Sequence, residues 1–143
     1  MTPTKPLDVL LFRQQIADVI YRYARGIDRL DFDLVRSCYH PDAYDDHGSF
    51  RCSVEELITA AQSFLPKWTI TQHFMGNMLI EIEGQRARAE TYAVAYHRRE
   101  DAEGNGKDDV MGIFAMSSVL NVVTANGKLP IAWSRRIGGE STR

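Results

Sequence analysis

Apolar positions recur along the first third of the chain with the spacing of a helix. Ile16, Val19, Ile20, Tyr23 and Ile27 follow one another at i, i+3, i+4 intervals and form one stripe, while Arg13, Asp18, Arg22 and Arg25 fall largely off it. Residues 1–8, with Pro3 and Pro6, read as a loose lead-in, and Gly26 is expected to loosen the last turns. Asp31 is placed to cap a shorter second helix with Leu34, Val35 and Cys38 on its apolar side. That helix ends at His40-Pro41-Asp42, because the residue before a proline avoids the helical region. Residues 42–52 are polar and read as an irregular edge strand or a loop. Ser53 and Glu56 then have capping-box spacing, ahead of a helix carrying Leu57, Ile58, Ala61, Phe64 and Leu65 that Pro66 stops.

After Pro66 the period changes from helical to alternating. Residues 68–82 are rich in β-branched, aromatic and aliphatic types, and Glu83-Gly84 is a turn signal. In residues 86–98 the odd positions are Ala87, Ala89, Thr91, Ala93, Ala95 and His97, a small face ending in a histidine. The even positions, Tyr92, Val94 and Tyr96 among them, make a bulky face with charge at both ends. A face of alanines leaves space, to be filled either by a closely packed helix or by a cavity, and both readings stand. Gly104-Asn105-Gly106 signals a hairpin, residues 109–124 a further strand and Asn126-Gly127 a tight turn; 129–143 is weakly patterned. Helices first and antiparallel strands after give an α+β domain with its helices on one face of the sheet.

Composition narrows the partners. The 143 residues suit one domain, 1–143, with one core and no internal repeat. A net charge of −2 and no basic stripe exclude nucleic acid and anionic membrane surfaces as expected partners. No apolar run approaches the roughly 20 residues of a membrane span, and Met1 to Pro6 lacks the apolar core of a secretory leader. The two cysteines, Cys38 and Cys52, fit small buried hydrophobes in a reducing compartment, so a cytoplasmic location is expected.

The chemistry-bearing residues are few. Asp28 ends the first helix on or beside its apolar stripe, and His73 lies on the first long strand in Thr71-Gln72-His73-Phe74. If helix and strand pack, the carboxylate fixes the imidazole tautomer and leaves the other ring nitrogen as a general base. A purely structural Asp–His bond, or two unrelated surface residues, satisfies the same pattern. No G-x-S-x-G motif is present, which disfavours acyl transfer. Asp28, His47, His73 and His97 could compose a metal set, but no close-spaced ligand motif supports it, so neither metal nor cofactor is expected.

Three stretches carry a resemblance: Asp28-Arg29-Leu30-Asp31-Phe32-Asp33, His40-Pro41-Asp42-Ala43, and Thr71-Gln72-His73-Phe74-Met75-Gly76-Asn77. Together, over roughly residues 8–112, the chain resembles the SnoaL-like branch of the nuclear-transport-factor-2-like superfamily. Within it the chain is similar to the scytalone dehydratases and hexachlorocyclohexane dehydrochlorinases. The resemblance implies a cone-shaped, curved antiparallel sheet packed on N-terminal helices around a pocket for a small apolar or aromatic ligand. It implies an Asp28–His73 dyad that abstracts a proton before loss of a leaving group, with His97 as a second pocket histidine. A substrate-polarising tyrosine of the dehydratases falls near His47 and Tyr44, which are therefore candidate substrate contacts, while Ile27 replaces a tyrosine before the aspartate. Residues 113–143 depart from the branch's pattern, and Pro130 would disturb a central strand, as a frame change or divergent truncation would leave it.

Two function classes follow. The first is a cofactor-free lyase or isomerase acting on a small cyclic or aromatic compound. The second is a non-catalytic ligand-binding or assembly module, or a decayed enzyme, because this fold also serves as a dimerisation domain and as the small subunit of ring-hydroxylating dioxygenases. The Tyr92, Val94 and Tyr96 face suggests a homodimer, with a trimer as the alternative.

Overall fold

The computed structural model describes residues 6–46, 51–84, 86–121 and 134–137, and side chains as far as Asp108. The order is α1 (Pro6–Asp28), α2 (Phe32–Ser37), β1 (Tyr44–Asp46), β2 (Arg51–Ser53), α3 (Val54–Phe64), a 3-10 turn (Leu65–Lys67), β3 (Ile70–Glu83), β4 (Arg86–Glu100), β5 (Gly106–Asn121) and β6 (Ser134–Ile137). Helix α1 begins inside the expected lead-in: Pro6 occupies its first position, where the missing N–H costs nothing and the fixed φ suits the helix. The apolar stripe of α1 is buried as its spacing requires, with Ile16 and Ile20 almost fully enclosed. Asp31 caps α2 through Leu34 N–H at 3.0 Å. Ser53 and Glu56 close the capping box on α3, and Pro66 lies in the turn that ends it.

The six strands form one curved sheet in the order β2-β1-β6-β5-β4-β3. Neighbours are antiparallel, except that β6 runs parallel to β1. Register shifts between Met75 and Met78 in β3 and at Ala95/Tyr96 in β4 add the local twist that bends such a sheet. The small face of β4 turns inward: Ala87, Ala89, Thr91, Ala93 and Ala95 are buried. The helices pack across this side, so the architecture is the α+β cone. The segment from 113 onward contributes β6, which joins β1 to β5 and completes the sheet, with Ile137 opposite Met116. Asn126-Gly127 and Pro130 lie outside the described residues.

Gly26 does not loosen α1. A Cβ there would meet Val35 Cγ2 at 2.8 Å and the Asp31 carbonyl oxygen at 3.1 Å, so the glycine lets α2 approach closely. In an exposed helix Gly→Ala gains about 1 kcal/mol. Overpacking costs about 1–3 kcal/mol. Gly26→Ala is therefore expected to lose about 1 kcal/mol net in urea unfolding; a gain would mean that α2 gives way freely.

The polar segment 42–52 hides a buried carboxylate. Asp45 is fully enclosed and accepts a hydrogen bond from the Tyr39 hydroxyl at 2.6 Å, and Tyr39 packs edge-on against Tyr23. Cys38 and Cys52 are free and buried. Burial pushes both thiols above the ordinary range, with Asp45 and Glu56 adding to the rise at Cys52. Neither is a thiolate nucleophile at neutral pH.

Candidate active site

The turn between α1 and α2 holds Asp28 in place. Leu30 N–H bonds to the Ile27 carbonyl and Asp31 N–H to the Gly26 carbonyl, at 3.3 and 2.9 Å, and these are the two bonds of a Schellman ending. The left-handed position is filled by Leu30, with φ of 54°, where glycine is usual. A side chain there costs about 1–2 kcal/mol. The turn keeps this strained residue two positions beyond Asp28.

From the last position of α1, Asp28 reaches across to β3. Its two oxygens accept the His73 backbone N–H at 3.1 and 2.9 Å, and one of them lies 2.7 Å from His73 Nδ1. A carboxylate at a helix C-terminus faces the negative end of the dipole, and these contacts offset that cost. An ionised carboxylate only accepts, so Nδ1 is the protonated nitrogen and Nε2 of the neutral ring carries the free lone pair. The His73 side chain is 9% exposed and that of Asp28 18%. Both are shielded without being sealed off. A neutral imidazole held in this way can accept a proton at Nε2 while the carboxylate orients the ring.

The inner face of β4 supplies the surroundings. His73 stands opposite Ala95, and Thr71 opposite His97, which puts both histidines on the inner face. The Ala95 methyl leaves room for their rings, which meet at right angles with centroids 5.6 Å apart. His97 is 3% exposed, and two further aromatic residues press on it: Trp68 at 5.2 Å and Phe64 at 6.2 Å between ring centroids. These two come from the end of α3 and the turn after it, and the Arg99 guanidinium lies over the Trp68 ring. The indole Nε1–H of Trp68 is buried and has no hydrogen-bond acceptor among the described residues.

The structure thus brings Asp28, His73 and His97 together. Tyr44 lies elsewhere: it is 52% exposed beneath the Arg51 guanidinium, on the face of β1 opposite the buried Asp45. His47 lies outside the described residues. Among the described residues no cluster of three His, Cys, Asp or Glu is placed to hold a metal, and no helix is long and apolar enough to cross a membrane. An open groove of about 390 Å³ between α1 and β3, lined by Leu10, Ala17, Tyr21 and Leu79, contains none of the dyad's residues. Sequence reasoning missed Trp68. Its only signal was the i, i+4 spacing from Phe64 across the Pro66 turn.

A family model described as the SnoaL-like domain matches residues 8–126. No curated protein matches the sequence. Among solved structures, a nuclear transport factor 2 (NTF2-like) superfamily protein from Salmonella enterica serovar Typhimurium is 17% identical, with 94% of each chain covered and a TM-score of 0.73. The β subunit of a candidate aromatic-ring-hydroxylating dioxygenase from Novosphingobium aromaticivorans is 15% identical, covering 94% of this chain and 93% of that one, TM-score 0.70. A candidate dehydratase of the NTF2-like family from Streptomyces avermitilis is 15% identical, covering 86% and 92%, TM-score 0.66. At these identities the likeness shows the fold.

Proposed function

Because the chain belongs to the SnoaL-like domain family of the NTF2-like superfamily, we propose that it is a cofactor-free lyase or isomerase for a small cyclic or aromatic compound in the cytoplasm. The observation that carries this reading is the Asp28 carboxylate, 2.7 Å from His73 Nδ1 and held by the His73 backbone N–H. His73 Nε2 takes a proton from a carbon next to a carbonyl or a leaving group. Asp28 keeps the ring in the required tautomer and stabilises the imidazolium. His97, packed against His73, contacts the substrate. The solved structure named as a candidate dehydratase supports the same class of chemistry.

The test is proton exchange. A panel of cyclic ketones is incubated with the protein in D₂O and exchange at the acidic C–H is followed by NMR. Exchange above buffer that disappears in His73→Ala supports the reading; a panel with no His73-dependent exchange or turnover sinks it. That second result would favour a non-catalytic assembly module, which the likeness to a dioxygenase β subunit supports.

Self-association belongs to the same proposal. Phe74 and Tyr92 are 61% and 55% exposed on the outer sheet face, and Val94 stands opposite Phe74. A second copy covering this strip makes a homodimer, with a trimer as the other assembly. Sedimentation at micromolar concentration is expected to give an oligomer that Tyr92→Glu converts to monomer; a monomeric parent protein would contradict it.

A further inference from the structure

One donor at the site is left over by the dyad mechanism. The Trp68 indole N–H is buried without an acceptor among the described residues, and indole can only donate. A buried polar group left so is costly, and in native proteins it marks strain, function or a missing partner. The ring itself is firmly placed. The Trp68 backbone N–H bonds to the Leu65 carbonyl at 3.0 Å, and the next residue, Thr69, bonds to the Arg98 carbonyl at 2.8 Å. Phe64 meets the indole edge-on at 5.7 Å, and the Arg99 guanidinium lies 5.6 Å from its centroid. Its other neighbour is His97, whose ring in turn meets that of His73.

We infer that Trp68 is the substrate-orienting donor of this site, and that the ligand is a ring-sized carbonyl compound whose oxygen accepts the indole N–H while its acidic C–H faces His73. The inference rests on the proton-abstraction reading for the role of His73. The His97 ring touches both the indole, at 5.2 Å, and the His73 ring, at 5.6 Å between centroids, so donor and base belong to one aromatic cluster. The faces of Phe64, Trp68 and His97 suit a flat ring. The step balances without a co-reactant. The C–H bond breaks and its proton goes to His73 Nε2. The electron pair forms the enolate C=C, and the carbonyl π pair moves to oxygen, where the indole N–H holds the developing charge. Return of the proton to a different carbon isomerises the compound; expulsion of a leaving group with the proton completes an elimination.

The probes are 1-tetralone, a bicyclic aromatic ketone, and tetralin, its oxygen-free counterpart. With ¹⁵N-labelled protein, the Trp68 indole signal is assigned by its loss in Trp68→Phe. Tetralone is expected to move that signal downfield and to bind about 10-fold tighter than tetralin, on the scale of one hydrogen bond in an enclosed site. Trp68→Phe keeps an aromatic ring and is expected to bind both compounds equally. Tetralone preference that persists in Trp68→Phe, bound tetralone that leaves the indole signal unmoved, or binding of neither compound at millimolar concentration overturns the inference. If Trp68→Phe does not fold, the indole shift in the parent protein decides. His73→Ala separates the two readings, because it is expected to abolish deuterium exchange into tetralone and keep the tetralone preference. A parent protein with the preference and the indole shift but no exchange would sink the general-base reading and leave Trp68 as the ligand's anchor.

Discussion

On the proposed mechanism, Asp28→Asn is expected to lower His73-dependent proton exchange by about 10²- to 10⁴-fold while leaving the fold in place. The reason lies in which atoms donate. The carboxylate accepts the His73 backbone N–H and faces Nδ1 at 2.7 Å, so it selects the tautomer with the proton on Nδ1. An amide offers one oxygen and one NH₂ group. Its oxygen satisfies the backbone N–H, which keeps strand and helix joined, and its NH₂ then faces Nδ1. That arrangement selects the opposite tautomer and puts a proton on Nε2, where the lone pair is needed. Two-dimensional ¹⁵N NMR of the imidazole reads this directly: Nδ1–H in the parent protein, Nε2–H in Asp28→Asn. His73→Gln identifies the signal by its absence. A parent ring already protonated on Nε2, or an Asn variant that exchanges at the parent rate, would remove Asp28 from the mechanism.

The largest expected loss of stability from deleting a single polar group comes from Tyr39→Phe. The Tyr39 hydroxyl donates to Asp45 at 2.6 Å, and Asp45 is fully buried in a strand of three residues. Phenylalanine keeps the ring and its edge-on contact with Tyr23 but removes the donor. A hydrogen bond to a charged group contributes about 1.5–3 kcal/mol. For a domain of this size that corresponds to a drop of roughly 5–10 °C in midpoint. Asp45→Asn is the informative partner, because its amide oxygen still accepts from Tyr39 and no buried charge is left. Thermal unfolding of Tyr39→Phe within a degree of the parent would mean that the pair contributes nothing net.

Much of this was legible because it is local. Asp31, Ser53 with Glu56, and Pro66 act on neighbours within four residues, so their spacing alone marks where helices begin and end. The alternation from Ala87 to His97 shows in the same way, since strand geometry turns it into an inner and an outer face. The dyad was harder. Asp28 and His73 are 45 residues apart, so the pattern could offer the pair only on condition that helix and strand pack, and the resemblance then singled it out. Other features answer to no local pattern. Gly26 looks like a weak spot in a helix until Val35 is seen against it. Asp45 sits among polar residues that read as loop, yet it is fully enclosed. Trp68 gains its meaning from His97, a residue on another strand.

The parallel pairing of β6 with β1 bears on how the molecule is made. Tyr44 to Asp46 leave the ribosome about 90 residues before their partners Ser134 to Arg136. Closing so long a loop late in folding is slow, and an unpaired strand edge invites other chains. During synthesis the β1–β2 hairpin must therefore wait with one edge open, while α1, α3 and the long β3–β4–β5 meander assemble from near neighbours. The arrival of β6 thus decides whether the open edge of β1 becomes part of one sheet or stays sticky.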